Sequence, residues 1–349
     1  MDKIVTVSKA RQLFELLKEE IHGGQYAEGD KLPSIRELAE HYGLSKNTVN
    51  TVIAMLVNEG MAKVHEGSGT FVCFQPKKAT MIGLMLFNFS QGLYTEADIL
   101  AHIQNNMPND HYLSLMDTSD SYDVFCDRLE NLIALGVEGL LLQPPKVFPT
   151  DLDCLRVKKL VDPIPTVFIN RGISGVNADV YSMDLENGIE SAMEYLVTTG
   201  KRNIAILLHD SDKFVQEQLR AYAACCGQYG ITCREDFLVP WMKDKDDMKD
   251  RLTRILPEVD GIIASDSILL HMHDVLLGCG REIPGELSLV GINDSVASRM
   301  FYPPLSALAF PSERIGRHAI KKLMGRISGM DTSPRKLVNY KPELIIRNT

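Results

Sequence analysis

Near the start of the chain, apolar side chains recur at the helical period. Leu13, Leu17 and Ile21 fall at i, i+4 and i+8, with Ala10 and Phe14 beside them. That spacing predicts a helix over 8–22, with Ser8 as its N-cap and Gly23-Gly24 as its stop. Ser34 followed by Glu37 has the form of a capping box, and it opens a short helix holding Ile35, Leu38 and Ala39. Gly43 breaks that helix after Tyr42. Ser45 caps the next, which turns Val49, Val52, Ile53, Leu56 and Val57 inward and stops at Gly60. Two β-prone stretches follow, 61–65 and 70–74, joined by the tight turn Glu66-Gly67-Ser68-Gly69. Three helices and then a hairpin is the plan of a winged helix-turn-helix.

After Gln75-Pro76-Lys77-Lys78 the period changes. Strand-sized apolar runs at 81–87, 111–116, 137–142, 165–169, 203–208, 259–264 and 287–292 alternate with helical patterns. The helical patterns cover 95–106, 122–135, 185–199, 213–229, 246–256 and 267–279. Such a βα repeat implies parallel sheets, and it is too long for one doubly wound sheet. An α/β domain of two lobes with a cleft between them fits better. The expected division is 1–75 for the head, 76–79 for a linker and 80–349 for the sensor. Within the sensor, lobe 1 is expected at about 80–171 and 295–309, and lobe 2 at about 175–293 and 311–349.

Composition narrows this picture. The chain has 349 residues, 45% of them hydrophobic and 24% charged, enough for well-filled cores and too apolar for disorder. The N-terminus lacks the apolar stretch of a signal peptide, and no run reaches membrane-span length, so a cytoplasmic protein is expected. The first 78 residues hold 10 Lys+Arg and 10 Asp+Glu, so the net charge of −9 sits wholly in the remainder. A neutral head binds nucleic acid only if its cations share one face. The seven cysteines are scattered without a CxxC pair, which reads as reduced thiols. Adjacent Cys225-Cys226 make a poor metal clamp, and His271 and His273, two apart, point to different helix faces. No GxGxxG, P-loop, HExxH or GxSxG motif occurs, so no enzyme, metal or cofactor is expected.

Three groups of residues point to a family. Leu32-Pro33-Ser34-Ile35-Arg36-Glu37-Leu38-Ala39, Tyr42-Gly43-Leu44-Ser45-Lys46-Asn47-Thr48-Val49 and Gly67-Ser68-Gly69-Thr70-Phe71-Val72 closely resemble the GntR family of regulators. From about residue 80 the chain is similar to the LacI/GalR sensor, in Ile164 to Arg171, Val259 to Asp266, Ile283 to Asp294, Tyr302-Pro303-Pro304-Leu305-Ser306 and Pro311 to Gly316. That sensor fold is periplasmic-binding-protein-like. A GntR head on a LacI-type sensor resembles regulators of the arabinose-repressor type.

For the head, the resemblance and the helix positions imply DNA contacts from Arg36, Ser45, Lys46, Asn47, Thr48 and Asn50, and from His65, Gly67, Ser68 and Thr70 around the wing. Asn pairs with adenine, and Lys reaches guanine or phosphate. For Asn47 a plain solvated surface residue is an equal reading. Lys46 and Asn50 stand where Arg is usual in the family, which puts a guanine-rich operator in question. For the sensor, the resemblance implies an effector site of Ser90, Gln91, Tyr94, Asn170, Arg171, Arg220, Ser265, Asp266 and Asn293, with Arg220 foremost. Asn293 replaces a usual Asp but still donates and accepts, which suits a hydroxyl-rich ligand. Trp241, the one tryptophan, either stacks on a sugar face or packs within the lobes. The expectation is a homodimeric repressor that a mono- or disaccharide releases from operator DNA. The rival is a transport-type or enzymatic sugar-binding α/β protein whose N-terminal helices serve dimerisation alone.

Overall fold

The structure is a computed structural model that describes residues 9–73, 80–87, 95–119, 121–146, 148, 150–208, 213–240 and 245–349. The chain forms two units, Met1–Ala79 and Thr80–Thr349.

The first unit holds helices α1 (Lys9–His22), α2 (Ile35–Tyr42) and α3 (Lys46–Asn58) and a hairpin of β1 (Ala62–His65) and β2 (Gly69–Val72). The apolar stripes meet as the spacing demands. Leu13, Phe14, Leu17 and Ile21 pack against Leu38, Val49, Val52, Ile53 and Leu56. Val57 departs from expectation: it is 38% exposed, because it lies off the stripe that Val49, Val52, Ile53 and Leu56 form. The capping box is made in full. Glu37 N donates to Ser34 Oγ at 3.3 Å, and Ser34 N donates to Glu37 Oε2 at 2.7 Å. These bonds hold the Glu37 carboxyl below its usual range. Gly43 then takes φ 62° to end α2. The strands pair antiparallel from Ala62↔Val72 to His65↔Gly69. Lys31 adds an isolated antiparallel bridge to Phe71, and its side chain lies so close to Gly69 that a Cβ there would meet Cε at 2.6 Å.

The second unit has two six-stranded sheets. One contains β3 (Thr80–Leu86), β4 (His111–Asp117), β5 (Gly139–Leu142), β6 (Thr166–Ile169), β7 (Asp179–Met183) and β13 (Leu337–Tyr340), in the order β13-β7-β6-β5-β3-β4. The other contains β8 (Ile204–Leu208), β9 (Leu238–Pro240), β10 (Gly261–Ser265), β11 (Ser288–Asn293), β12 (Ser306–Ala309) and β14 (Glu343–Ile345), in the order β14-β12-β11-β10-β8-β9. Neighbours run parallel except β12 and β14. Central strands such as β5, β8 and β10 are buried along their whole length, which is why they read as continuous apolar runs.

Helices α4 (Glu96–Asn105), α5 (Tyr122–Ala134), α6 (Asp151–Val161) and α13 (Ser312–Ile327) pack with the first sheet. Helices α7 (Leu185–Thr198), α8 (Lys213–Tyr229), α9 (Lys245–Ile255), α10 (Asp266–His271), α11 (His273–Gly278) and α12 (Val296–Met300) go with the second. The expected lobe boundaries need correction. β7 stays in lobe 1, β12 pairs with β11 in lobe 2, and α13 with β13 return to lobe 1. The chain therefore passes between lobes at 183–185, 309–312 and 340–343. Sequence reading missed this because β7, β12, β13 and β14 are short and partly polar, and strand pairing, not local pattern, decides their sheet.

A buried ion pair anchors the returning segment. Arg326 Nε donates to Asp179 Oδ2 at 3.0 Å, and Arg326 Nη1 donates to the Asp331 carbonyl at 2.8 Å. Both charged side chains of the pair are at most 5% exposed.

Candidate nucleic-acid interface and ligand cleft

In the head, Ser45 sits at the N-cap of α3 and accepts from Thr48 N at 3.1 Å. The two hydroxyls also bond each other at 2.8 Å. Capping thereby holds Lys46, Asn47 and Asn50 at the opening of α3 with their side chains exposed. Arg36 is exposed on the first turn of α2. At the hairpin, His65 meets Phe71 edge-on at 5.4 Å, and Gly67 and Ser68 form the exposed tip. Thr70 is a correction. It is 8% exposed, because alternation along β2 turns it inward with Val72. Sequence reading also passed over Lys31 and Lys63, exposed beside the hairpin. Pairing of Lys31 with the hairpin could not be read from a lone lysine.

In the sensor, a pocket opens at the C-terminal ends of strands from both sheets, where open α/β sheets take ligands. Its wall includes Phe87, Thr95, Glu96, Lys146, Asn170 and Arg171 from lobe 1, and Val215, Gln218, Ser265, Asp266, Ser267, Asn293 and Ser295 from lobe 2. A second compartment shares Lys146, Asn170 and Arg171 and reaches Cys154, Ser174 and Glu217. The backbone is shaped for this. Asn170 takes φ 69°, and Asn293 and Asp294 take 109° and 51°, the left-handed region that, after glycine, Asn and Asp tolerate best. Asp294 is pinned by Arg347 Nη1 at 2.6 Å. Arg171 lies over the Phe87 ring at 5.9 Å.

Asp266 opens α10 and is 1% exposed. Its Oδ2 accepts from Ser295 N at 2.7 Å. Burial pushes its carboxyl up to about 6, against the pull of Ser295 and Ser298. Gly291 makes room for it: a Cβ there would collide with Asp266 Oδ1.

The structure thus brings together Asn170, Arg171, Ser265, Asp266 and Asn293. Ser90, Gln91, Tyr94 and Trp241 lie outside the described residues. Arg220 is a correction. Its side chain is 67% exposed, with Nη2 3.7 Å from Glu186 and Nε donating to the Gln216 carbonyl at 3.2 Å. Two residues along a helix turn about 200°, so Arg220 points away from the wall that Gln218 lines. Phe87, Glu96, Lys146 and Gln218 were missed. Phe87 and Lys146 follow strand ends by one and four residues and Glu96 opens a helix, but Gln218 lies in the second turn of α8 with no local signal.

Among the described residues no cluster of His, Cys, Asp and Glu could hold a metal, and the seven cysteines are unbridged. His271 Nδ1 lies 2.6 Å from the Ser267 carbonyl, and His273 Nδ1 lies 3.2 Å from Asp274. Among the described residues no helix is long and apolar enough to cross a membrane.

A DNA-reading head joined to a two-lobed ligand-binding domain defines a one-chain transcription regulator. Residues 9–72 match the bacterial regulatory proteins of the gntR family, and residues 193–349 match the periplasmic binding protein-like domain. The chain therefore carries a GntR-family head and a periplasmic-binding-protein-like sensor, and it belongs with transcription regulators rather than enzymes. It is similar to the arabinose metabolism transcriptional repressor of Geobacillus stearothermophilus, 24% identical over 360 residues that cover 99% of this chain and 98% of the relative. It is also similar to the HTH-type transcriptional repressor PurR of Vibrio campbellii, 23% identical over 338 residues, 91% of this chain and 98% of that one. Among solved structures, the transcriptional regulator CelR in complex with cellobiose matches with a TM-score of 0.66 at 21% identity, covering 91% of this chain and 99% of that one. The regulator CcpA of Lactococcus lactis matches with a TM-score of 0.68 at 14% identity, covering 78% of this chain and 99% of that one. Both share the fold.

Proposed function

We propose that the chain is a cytoplasmic repressor that binds operator DNA through α3 and the hairpin, and that a mono- or disaccharide in the inter-lobe pocket releases it. The observation that carries this is the pocket itself: polar side chains at strand ends of both lobes converge there. A ligand that touches both lobes favours their closed arrangement, and it shifts the equilibrium by its differential affinity for that arrangement. A coupling of ~1–3 kcal/mol is enough to regulate. Relatives named as repressors of arabinose metabolism, and the cellobiose held by a regulator of the same fold, support a sugar as the ligand.

At the DNA, Lys46, Asn47 and Asn50 read base edges, while Arg36, Ser45, Thr48, His65, Gly67 and Ser68 set the register on phosphates. Lys31 and Lys63 add positive charge beside the wing. A pseudo-palindromic operator needs two heads, so the working form is a homodimer. The test is a gel shift with the DNA upstream of the gene, titrated with a sugar panel. Binding to that DNA and its loss with one sugar is the expected result. A chain that binds sugar but no DNA would instead be the sugar-binding α/β protein whose head serves dimerisation alone.

A further inference from the structure

Glu96 is a buried carboxylate in the pocket wall for which sugar binding in general assigns no task. It is the first residue of α4 and 4% exposed. Gln143, just past the end of β5 and fully buried, donates from Nε2 to Glu96 Oε1 at 3.0 Å. The Gln143 amide is fixed from behind, where its Oε1 accepts from Phe87 N at 3.4 Å. An amide nitrogen offers donors only, so Glu96 Oε1 is held as an acceptor. Burial raises the Glu96 carboxyl, while Gln143, Lys146 and Arg171 work to keep it charged.

The charges of the wall are unevenly divided. Lys146 and Arg171 stand with Glu96 on lobe 1. On lobe 2, Asp266 is the one charged residue among the described residues that line this first pocket, beside Gln218, Asn293 and the hydroxyls of Ser265, Ser267 and Ser295, and the adjoining compartment adds Glu217. A ligand phosphate or carboxylate would face Asp266 across the cleft, and it would compete with Glu96 for Lys146 and Arg171. Uncharged hydroxyls can donate to both carboxylates and accept from both cations.

We propose that Glu96, positioned by Gln143, accepts from effector hydroxyls and makes the cleft select an uncharged polyol over an anionic sugar. This rests on the reading of the cleft as the effector site. The competing role for Glu96 is neutralisation of Lys146 and Arg171 with no contact to ligand.

The test uses the full chain, with thermal shift and calorimetry. L-arabinose, D-galactose and cellobiose serve as uncharged probes, and D-galacturonate and D-glucose 6-phosphate as anionic ones. At least one uncharged sugar should stabilise the parent and neither anionic one should. Glu96→Gln keeps the size and an acceptor oxygen for Gln143. It should weaken the uncharged sugar by roughly 10- to 150-fold, the usual effect of losing a hydrogen bond to a charged group. It should also strengthen the anionic sugars, because Lys146 and Arg171 lose their carboxylate. Gln143→Leu should weaken the uncharged sugar less. Should Glu96→Gln not fold, Glu96→Asp decides: it must still reject anionic sugars while its shorter reach weakens the uncharged one. The proposal is overturned if Glu96→Gln binds the uncharged sugar as tightly as the parent, if both classes weaken together, or if the parent prefers an anionic sugar. If no sugar of either class stabilises the parent, the effector-site reading itself fails and this inference goes with it.

Discussion

In the head, Lys46, Asn47 and Asn50 lie on one short stretch of α3 and point to solvent. In the sensor, Glu96, Asn170, Asp266 and Asn293 come from separate strand and helix ends, and Glu96 and Asp266 are buried. A surface that meets a large, highly charged partner needs accessible side chains on a rigid helix and little else. A pocket for a small ligand must desolvate its polar groups before the ligand arrives, so each needs a partner in the protein. Asp266 has Ser295, and Glu96 has Gln143. The head is therefore tolerant of substitution at its site, whereas the sensor's site is continuous with its core.

The largest expected effects separate the two units by stability. Arg326→Ala leaves Asp179 buried without its main partner. Losing one member of a buried pair costs roughly 3–5 kcal/mol, and should lower the sensor's melting temperature by on the order of 10 °C. Leu56→Ala empties the centre of the head core and costs about 2–5 kcal/mol there. Trp241 is the one tryptophan and lies in the second unit, so its fluorescence follows the sensor. Arg326→Ala should shift that transition and Leu56→Ala should not, while Leu56→Ala should abolish operator binding. A single shared transition in both variants would show that the units unfold together and would void the contrast.

Acid should act oppositely on the two regions. Burial holds Asp266 up at about 6, against about 3.9 for an unfolded Asp. Its charged form is thus penalised in the folded sensor. The penalty is full above pH 6, shrinks as pH falls toward 4, and is absent below both values. A carboxyl raised that far carries a penalty of roughly 3 kcal/mol when charged, so the sensor should gain stability between pH 7 and about 4.5. Asp266→Asn should be more stable than the parent at pH 7 and should lack that gain. In the head, Glu37 is lowered instead, so its contribution is present above the unfolded value and lost as pH falls through the folded one. Denaturant melts from about pH 3 to 7 check both signs, Asp266 in the upper part of that range and Glu37 below about 4.5. A parent and an Asp266→Asn variant that track each other would remove Asp266 as the cause.

The same difference explains how much of each unit was legible in the sequence. The head's stripe, caps and turn glycines are local signals, and Ser34, Gly43 and Ser45 act where their chemistry placed them. Thr70, expected at the wing surface, turned on strand parity, which a shift of one residue inverts. In the sensor, strands buried on both faces announced themselves, but the sheet to which each short late strand belongs did not. Pairing of β12 with β11, and the return of α13 to lobe 1, are long-range choices with no local trace. Glu96 and Gln143 are 47 positions apart, and neither resembles a site without the other.

At the DNA, Lys46→Ala should weaken operator binding by about 1–3 kcal/mol, or roughly 5- to 150-fold, with no change in melting temperature. Ligand affinity measured without DNA should stay that of the parent, because the side chain is exposed and belongs to the other unit. Filter binding at fixed salt checks the first, and calorimetry the second. Operator affinity equal to the parent's would show that α3 does not carry the reading face.

The smallest effect is the sharpest test of the cleft, because a slip of two residues reverses it. The family resemblance puts Arg220 at the ligand, and a cleft arginine should be indispensable. The helix geometry instead gives that place to Gln218, 9% exposed in the wall with Val215, and leaves Arg220 on the far side. Arg220 holds a solvent-exposed ion pair with Glu186 at 3.7 Å, with side chains 67% and 52% exposed. Such a pair is worth about 0–1 kcal/mol. Arg220→Ala should therefore leave effector affinity within about twofold of the parent and operator release unchanged. Gln218→Ala removes a neutral hydrogen-bonding group from the wall, which is worth about 0.5–1.5 kcal/mol, or roughly 2- to 13-fold in effector affinity. Titrations of operator release against effector, run on both variants beside the parent, read the difference directly. A right-shifted curve for Arg220→Ala with a parental one for Gln218→Ala would mean that α8 is rotated by about half a turn in the ligand-bound protein, and the cleft wall would have to be redrawn.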